Sequence, residues 1–531
     1  MTKLSKNSES LPLINLFGEE EEAFYQLGLK DAETAKYSIS MLRSLISTPW
    51  APVNKLIHQS FSKIIDQVLY KNSEFDKLLN AYASGAGIQK SDLFGALLIP
   101  EFCSFLGKWT KYLSPINFGC SSLFTLNDKG QPVHARILDF PLKNTYDKHE
   151  RIIATNFKNK LKTFNYTSSG LPFSGLTSIN ESGLTVAIHQ KFSDTFNQHG
   201  TPIFFLAHQV ISTCSNVNEA LELLERSQTI TCWNLNIMDK DGNILEIDID
   251  GNERFYKEHN IHDEKFIYIC NELVNKSKKQ EDFLPFGMKN YNDIRKINCK
   301  KLEKKVFGKS DDDILKTFSS PLDKNLASLG AITPSTMASV IFNPKELSSA
   351  YIPGIAPKVY TDKVSIITDL WDRQNTQVKS SKKISNERAK ELYEHLITAQ
   401  HNFDINDEAN GYHHLQMALE FTQDPKEHNL VTFFFIVAQY IHEPSQFALK
   451  QLMEENLAIH SQLDNYFKDM SAILDQRLGK LTNSKNLIDH VISNKELKLR
   501  YEKEKTMSKL NHIPLRHLTF LHLDILDVIF I

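Results

Sequence analysis

The middle of this chain alternates short apolar runs with turn-forming sequences, and this pattern constrains the fold more than any other feature. Residues 127–130 (NDKG), 181–183 (ESG) and 239–243 (DKDGN) each lie between apolar or alternating runs. Such an arrangement is typical of β-hairpins. The segment Asn243–Asp250 alternates apolar and polar residues, which predicts a half-buried strand. We therefore expect a β-rich region from residue 120 to about 371.

Helical patterns dominate both flanks of this region, and one helix is expected inside it at residues 217–224. Residues 1 to about 115 are predicted to be helical. A polar segment, 372–384, is predicted to be a linker. Beyond it, apolar residues at positions 389, 392, 393, 396 and 397 follow the spacing of one helix face. The sequence thus predicts an α+β protein with an additional helical region after the linker.

Composition narrows the classes of protein to which this chain can belong. Its 531 residues, 41 % hydrophobic and 24 % charged, are typical of globular proteins. A formal net charge of −3 provides no basic field for nucleic acid, so no nucleic-acid partner is expected. The six cysteines are scattered and contain no C-x-x-C pair, and the histidines lack metal-site spacing, so no metal is expected.

No segment has the length and apolarity of a membrane span. The run 430–441 (LVTFFFIVAQYI) is too short to cross a bilayer and predicts a buried helix. The apolar segment 518–531 contains two aspartates and is predicted to be a packed terminal element. Residues 1–22 lack the apolar core of a secretory signal, so a cytoplasmic location is expected.

One predicted hairpin carries the residues best suited to catalysis. Cys120 opens its first strand, and Arg136 and Asp139 lie near the end of its second. Because the two ends of a hairpin meet, these side chains could share one site, where the guanidinium would favour the thiolate. A buried cysteine is more often only a small apolar residue, and an Arg/Asp pair is commonly a surface ion pair. The pattern itself leaves both interpretations open.

The same residues resemble a known family. Gly119-Cys120, with Arg136 and Asp139 sixteen and nineteen residues after the cysteine, resembles the cysteine N-terminal-nucleophile (Ntn) hydrolases. Within them the resemblance is to the penicillin acyltransferase group, related to acid ceramidase, N-acylethanolamine acid amidase and bile salt hydrolases. Further matching segments occur in the same order and extend the resemblance over residues 75 to 371; they are 82–88, 175–184 and 338–344.

The resemblance implies a fold and a division of the chain. It implies a four-layer αββα sandwich whose catalytic core spans residues 120–371, preceded by an N-terminal helical propeptide region, residues 1–119. After the linker, a helical accessory domain is expected at 385–531, and it has no counterpart in the family. A protein partner or a membrane surface are the contacts that this accessory domain could make.

The resemblance also implies a mechanism. The family makes a precursor that cleaves itself before the cysteine, here between Gly119 and Cys120, and the new α-amino group then acts as general base for the thiol. An α-amine and a thiol have similar reference pKa values, so this proton transfer is feasible. By the same resemblance Asp139 would bind the amine and Arg136 would stabilise the thiolate. Asn271 would donate its side-chain N–H to the tetrahedral oxyanion.

Two further residues correspond to substrate-binding positions of the family, and some positions depart from it. Gln190 matches a polar residue that supplies further contacts, and Arg295 resembles the family's second arginine. Ile137 stands where the family usually has asparagine, and Glu272 follows Asn271. A carboxylate beside the oxyanion site would oppose an acidic substrate, so a neutral or cationic amine half is expected.

These observations predict a self-processing cysteine amidohydrolase. It would cleave a linear amide of a small N-acyl substrate through a thioester acyl-enzyme, without a cofactor. The acyl chain is expected to be apolar, because aromatic residues such as Phe140, Phe173 and Phe192 flank the matching segments. Two alternatives remain, an acyltransferase that uses the same acyl-enzyme and a catalytically silent binding scaffold.

Overall fold

Two β-sheets form the centre of the molecule. In the computed structural model, the first sheet consists of eight strands among the described residues. Its two strands at one edge pair in parallel, and all other neighbouring strands are antiparallel. Across this sheet the order is β1 (Leu13–Gly18), β4 (Glu150–Phe157), β5 (Thr163–Ser168), β6 (Thr177–Asn180), β7 (Thr185–Gln190), β8 (Cys232–Met238), β9 (Asn243–Asp250) and β10 (Glu253–Asn260). The structure describes residues 10–44, 52, 64–110, 119–140, 142–275, 286–322, 331–371, 376–380, 386–442, 445–506 and 523.

The second sheet contains the hairpin with the candidate nucleophile. Within the described ranges it has seven strands, and every neighbouring pair is antiparallel. The order across it is β11 (Phe266–Ile269), β2 (Cys120–Leu126), β3 (Pro132–Asp139), β12 (Thr336–Asn343), β13 (Ser348–Tyr351), β14 (Lys363–Ile367) and β15 (Thr376–Ser380).

The two sheets pack face to face. Successive side chains of a strand point to opposite faces of its sheet, so each strand contributes residues both to the space between the sheets and to the outer face. In β4, Ile152 packs between the sheets in one cluster with Val340 of β12, whereas its neighbour Ile153 joins the cluster formed with the helices outside. Helices cover the outer face of the first sheet: α1 (Glu20–Ser44), α2 (64–71), α3 (Ser73–Ala86), α4 (Lys90–Thr110), α5 (Ile203–Thr213) and α6 (Val217–Glu225).

Other helices cover the outer face of the second sheet, where Val133 and Ile137 of β3 join one apolar cluster with Met288 and Leu315. These helices are α8 (Phe286–Lys300), α9 (Glu303–Val306) and α10 (Asp311–Phe318), and the short α7 (Ile261–Glu264) connects β10 to β11. The order helix, sheet, sheet, helix confirms the predicted four-layer αββα sandwich.

Beyond the sandwich the described part of the chain is mainly helical, as predicted. Leu392, Tyr393 and Leu396 are buried on the predicted face of the first of these helices, and the run 430–441 lies inside a buried one. In the described part of the chain no helix has both the length and the apolarity to cross a membrane. These helices are α11 (Glu387–Asp404), α12 (Glu408–Glu420), α13 (Pro425–His442), α14 (Gln446–His460), α15 (Asn465–Thr482) and α16 (Lys495–Thr506).

Most local predictions for the β-rich region agree with the structure. The strand predicted at Asn243–Asp250 is β9, and the three predicted turns connect β2 to β3, β6 to β7 and β8 to β9. The helix predicted at 217–224 is α6, whose N-cap Asn216 accepts a hydrogen bond from the backbone N–H of Glu219. Of the predicted terminal element 518–531, Leu523 is buried and the other residues lie outside the described part.

Two strands differ from the sequence-based expectation. β1 lies in the region predicted to be helical, and it pairs in parallel with β4. β15 lies inside the segment 372–384, which the sequence predicts to be a linker, and it pairs with β14. Both strands are at a sheet edge, so pairing with strands elsewhere in the fold, rather than local sequence preference, determines their conformation.

The N-terminal region is an integral part of the sandwich. Besides the strand pairing of β1, the buried Asp31 of α1 forms an ion pair with the guanidinium of Arg151 on β4. Glu101 of α4 is also buried, and it accepts hydrogen bonds from the indole N–H of Trp233 at 2.6 Å and from the backbone N–H of Ile203 at 3.1 Å. Burial raises the pKa of the Glu101 carboxyl group, and the hydrogen bonds that it accepts act in the opposite direction.

Candidate active site

The β2–β3 hairpin places Cys120 and Arg136 on one face of the second sheet. Cys120 pairs with Leu138 and Ser122 pairs with Arg136, and directly opposed residues of an antiparallel pair share a face. As a result the Nη2 atom of Arg136 lies 3.2 Å from the Sγ atom of Cys120. Both side chains are buried, with exposed fractions of 1 % for Arg136 and 2 % for Cys120.

Arg136 is a buried cation that contacts no carboxylate among the described residues. Its Nη1 donates to the carbonyl oxygen of Leu176 at 2.7 Å, and its Nη2 donates to that of Ile188 at 2.6 Å. A buried charge without a counterion is costly unless a negative group forms beside it. The group placed to provide that negative charge is the Cys120 sulfur, or the oxyanion formed when this sulfur attacks a carbonyl.

The electrostatic environment of the Cys120 thiol contains two opposing effects. Burial raises its pKa above the usual value, and the positive charge of Arg136 acts in the opposite direction. The thiol of the intact chain therefore keeps its proton until a base removes it. The guanidinium is placed to stabilise a thiolate at this position.

Asp139 lies directly beside the bond that precedes Cys120. Its backbone N–H donates to the carbonyl oxygen of Gly119 at 2.9 Å, and its carboxylate accepts hydrogen bonds from the hydroxyls of Tyr291 at 2.6 Å and Thr336 at 2.7 Å. A Cβ atom on residue 119 would lie 2.8 Å from the carboxylate oxygen of Asp139. Only glycine fits at this position without displacing the carboxylate.

Asn271 and Arg295 complete the group of polar residues around Cys120. The side-chain oxygen of Asn271 accepts from the backbone N–H of Cys120 and from Nη2 of Arg295, each at 2.9 Å. Nη1 of Arg295 lies 3.2 Å from the Cys120 carbonyl oxygen and 3.3 Å from the carboxylate of Asp139. The structure thus brings all four predicted catalytic residues, and Arg295 with them, to the Gly119–Cys120 bond.

The orientation of the Asn271 amide differs from the expectation. Its Nδ2 donates to the carbonyl oxygen of Gln190 at 3.0 Å, whereas its oxygen faces Cys120. The two donors that converge on this oxygen account for the orientation in the intact chain. In this state Asn271 acts as an acceptor for the Cys120 backbone nitrogen.

A mainly apolar cavity of about 80 Å³ adjoins Cys120 and Arg136. Leu97 and Pro100 of the N-terminal region contribute to its lining, and so does Gln190. The amide of Gln190 donates to the carbonyl oxygen of Pro100 and to the hydroxyl of Ser104, each at 3.0 Å, and thereby connects β7 to α4. Arg295 does not line the cavity, so the structure separates the two residues that were predicted to bind substrate.

Sequence reasoning missed a buried lysine that holds the loop carrying Asn271. Nζ of Lys191 donates to the carbonyl oxygen of Cys270 at 2.9 Å and to that of Glu272, and the backbone N–H of Val274 donates to the buried Asp248 at 2.6 Å. Burial raises the pKa of Asp248 to about 6. No role for Lys191, which directly follows β7, was predicted from the sequence.

Tyr291 was missed as well. It precedes Arg295 by one helical turn on α8, and its ring packs 3.9 Å from the Arg295 guanidinium. The carboxylate of Glu272 pairs with Lys296 at the surface, which weakens the argument for a neutral or cationic amine half. Within the described ranges no group of three or more histidine, cysteine, aspartate or glutamate side chains could hold a metal ion.

Comparison with solved structures finds similar proteins at low sequence identity. The Caenorhabditis elegans N-acylethanolamine-hydrolyzing acid amidase ortholog is 16 % identical, with a TM-score of 0.32 over 43 % of this chain and 93 % of its own. Penicillin V acylase from Agrobacterium tumefaciens is 13 % identical, with a TM-score of 0.30 over 50 % and 98 %. A mutant of the conjugated bile acid hydrolase from Clostridium perfringens is 12 % identical, with a TM-score of 0.31 over 50 % and 97 %.

Comparison with family models and curated sequences gives two further findings. No curated protein matches the chain. Residues 126–354, a range that contains Arg136, Asp139, Asn271 and Arg295, match the model of a family of acyl-transferring enzymes. The matched model is that of the acyl-coenzyme A:6-aminopenicillanic acid acyl-transferase family, and the match over residues 126–354 confirms the resemblance noted in the sequence.

Proposed function

We propose that this protein is a self-processing cysteine amidohydrolase that cleaves a linear N-acyl amide through a thioester. The observation that carries the proposal is the contact of 3.2 Å between the Cys120 sulfur and the guanidinium of Arg136, which has no carboxylate partner among the described residues. The family match supports acyl transfer or amide hydrolysis in general. The arrangement around the Gly119–Cys120 bond supports the self-processing step.

In the first stage the chain would cut itself. The Cys120 sulfur attacks the carbonyl carbon of Gly119, the C–N bond breaks, and the thiol proton passes to the departing Cys120 nitrogen. Water then hydrolyses the thioester, which yields the Gly119 carboxylate and restores the thiol. Arg295, whose Nη1 is 3.3 Å from the Asp139 carboxylate, and Tyr291 hold that carboxylate beside the reacting bond.

In the second stage the liberated α-amine of Cys120 would act as general base. The Cys120 backbone nitrogen already donates to Asn271 Oδ1, so the same oxygen can hold the amine after cleavage. The amine takes the thiol proton, the sulfur attacks the substrate carbonyl, and the proton passes to the leaving amine. Arg136 stabilises the negative charge that develops at each step.

The fate of the acyl-enzyme separates hydrolysis from acyl transfer. Attack of water on the thioester releases a carboxylic acid, whereas attack of a second amine forms a new amide. The family match favours acyl transfer as the second candidate function, because the enzyme for which that family is described transfers an acyl group to an amine. Measuring free acid and new amide in the presence of an added amine distinguishes the two.

A gel with N-terminal sequencing tests the proposal. We expect purified protein to separate into fragments 1–119 and 120–531, and the Cys120→Ala variant to remain one chain. The Cys214→Ala variant, which removes another buried cysteine, is the matched control and should be cut like the wild type. A wild-type chain that stays whole, with no turnover of any N-acyl amide, would contradict the proposal and favour the scaffold alternative.

A further inference from the structure

Three hydroxyl groups in the cavity beside Cys120 have no hydrogen-bond partner among the described residues. They are Ser38 Oγ on α1 and, between β3 and β4, Thr145 Oγ1 and Tyr146 OH. Their residues are only 3 %, 3 % and 5 % exposed, respectively. Leaving a buried hydroxyl without a partner destabilises a protein, and native structures rarely contain several such groups in one place.

Other hydroxyls of the same cavity are fully satisfied. Ser168 Oγ donates to the carbonyl oxygen of Tyr146 at 2.8 Å, and Ser169 Oγ is hydrogen-bonded to Thr34 Oγ1 at 2.6 Å. Buried polar atoms without a hydrogen-bond partner also occur further along the same segment, at Asp147 Oδ1 and Arg151 Nε. Of the described hydroxyl-bearing residues that line the cavity, Ser38, Thr145 and Tyr146 are the ones whose hydroxyls lack a partner. The three residues come from two separate segments of the chain and line the same cavity.

The chemistry of the lining defines what would satisfy these hydroxyls. Arg136 is the one charged residue among the described residues that line the cavity, and its Nη2 faces Cys120 and the Ile188 carbonyl. Burial raises the pKa of Tyr146 well above its ordinary value, so the phenol stays protonated and can donate. Serine and threonine hydroxyls both donate and accept, which suits an uncharged hydroxyl or carbonyl oxygen.

We propose that the acyl half of the substrate is an apolar chain with an uncharged oxygen function, a hydroxyl or a keto group, that binds Ser38, Thr145 and Tyr146. This inference rests on the proposed function and specifies its substrate class. The apolar lining, which includes Leu138 and Phe204, accommodates the hydrocarbon part of the chain. The carbonyl carbon lies at Cys120, so the oxygen function is carried further along the chain.

Matched substrates test the proposal. We would compare 4-nitroanilides of octanoic acid with those of hydroxyoctanoic acids that carry the hydroxyl at successive chain positions. We expect wild-type kcat/KM to be higher for at least one hydroxylated chain than for the plain chain. The Thr145→Val and Tyr146→Phe variants should each reduce this preference by about three- to tenfold, the range for loss of one net hydrogen bond.

A control variant separates binding from general effects on folding. Thr155 on β4 is also buried, but its hydroxyl is paired with that of Thr163 at 2.7 Å and it does not line the cavity. Thr155→Val should keep the wild-type preference. Because the hydroxyls of Thr145 and Tyr146 have no partner to lose, their variants should unfold at the same or a higher temperature than the wild type, whereas Thr155→Val should unfold at a lower one.

A second set of substrates distinguishes the acyl half from the amine half. Octanoyl amides of ethanolamine and propylamine differ only in a hydroxyl on the amine. If the Thr145 and Tyr146 variants alter the ratio for this pair and not for the hydroxyacyl series, the oxygen function belongs to the amine half and the proposal is wrong. Unchanged ratios in both series would show that the hydroxyls bind only water, which also overturns it.

A binding measurement keeps this proposal separable from the proposed function. In the Cys120→Ala protein, calorimetry should show tighter binding of the preferred hydroxyoctanoic acid than of octanoic acid, and Thr145→Val should remove the difference. Selective binding without any turnover by the wild type would support the subsite and contradict the amidohydrolase. Turnover without selectivity for oxygenated chains would support the amidohydrolase and contradict the subsite.

Discussion

Glycines at the crossing of α1 and α3 provide a stability test that has a built-in control. Gly28 of α1 and Gly85 of α3 face each other's backbone so closely that a Cβ atom on Gly28 would lie 2.2 Å from the carbonyl oxygen of Tyr82. A Cβ atom on Gly85 would lie 2.1 Å from the carbonyl oxygen of Tyr25. The contacted atoms belong to backbone, which cannot rotate away, so an alanine at either position must push the helices apart.

The magnitude follows from two opposing effects. Overpacking of a tight contact costs about 1–3 kcal/mol in the free energy of unfolding. The better helix propensity of alanine returns about 0.5–1 kcal/mol. A Cβ atom 2.2 Å from a backbone oxygen is far inside contact distance, so the upper end of the overpacking cost applies. For Gly28→Ala we therefore expect a net loss of about 2–2.5 kcal/mol. Gly95 on α4 is the control, because the nearest heavy atom to its added Cβ is Ile65 Cδ1 at 4.0 Å. In Gly95→Ala the free energy of unfolding should therefore change only by the gain in helix propensity.

Urea unfolding followed by circular dichroism would measure both variants in the Cys120→Ala background, where the chain stays in one piece. Gly28→Ala should unfold at lower urea concentration than the parent, and Gly95→Ala at the same or higher concentration. If the two variants shift the midpoint in the same direction and by the same amount, the close approach of α1 and α3 is refuted.

Three further predictions concern the site and its support. Burial lowers the pKa of His134 from 6.5 to about 3, so the free energy of unfolding should fall by up to about 1.4 kcal/mol per pH unit as the pH drops below 6.5. In urea unfolding, His134→Gln should therefore lose less stability between pH 7 and pH 5 than the wild type, and an equal loss would contradict this. Tyr291→Phe removes a hydrogen bond to Asp139 and should slow the appearance of the 120–531 fragment about tenfold, and an unaltered time course would exclude Tyr291 from processing. In Lys191→Met the loop that carries Asn271 loses the hydrogen bonds from the lysine, so kcat should fall about tenfold or more while the circular dichroism spectrum stays native. An unchanged kcat would show that the lysine does not position this loop.

The fold was predictable where the signal is local. The alternation in β9 and the turn residues before it determine their own conformation, and the apolar spacing around Leu392 likewise determines the buried face of α11. β1 was not predictable in this way, because its conformation depends on β4, which lies more than a hundred residues later in the chain. The same holds for β15. Its polar sequence is typical of a linker, and its strand conformation depends on pairing with β14.

In the candidate site, too, the predictable contacts are local in sequence and the others are not. The hairpin placed Cys120 beside Arg136 because both belong to one local unit, and the structure shows this contact. Tyr291 and the three unpartnered hydroxyls escaped notice because they are brought into place by contacts between distant parts of the chain, which leave no local pattern. Helix packing places Tyr291 against Asp139, and α1 and the β3–β4 connection bring the hydroxyl-bearing residues to the cavity. The ion pair of Glu272 with Lys296 was not predictable for a similar reason, since Lys296 lies on α8, more than twenty residues later in the chain.

The position of β1 has a consequence for the order of events in maturation. A cut before Cys120 would leave the eight-stranded sheet with one strand from a second polypeptide. While the chain is whole, β1 is tethered to its partner at a high effective concentration. Once the chain is cut, folding becomes a second-order reaction, and the melting temperature depends on protein concentration. If the chain cuts itself as proposed, assembly has to precede cleavage, and a processed molecule that unfolds would regain its structure only as fast as its two pieces meet.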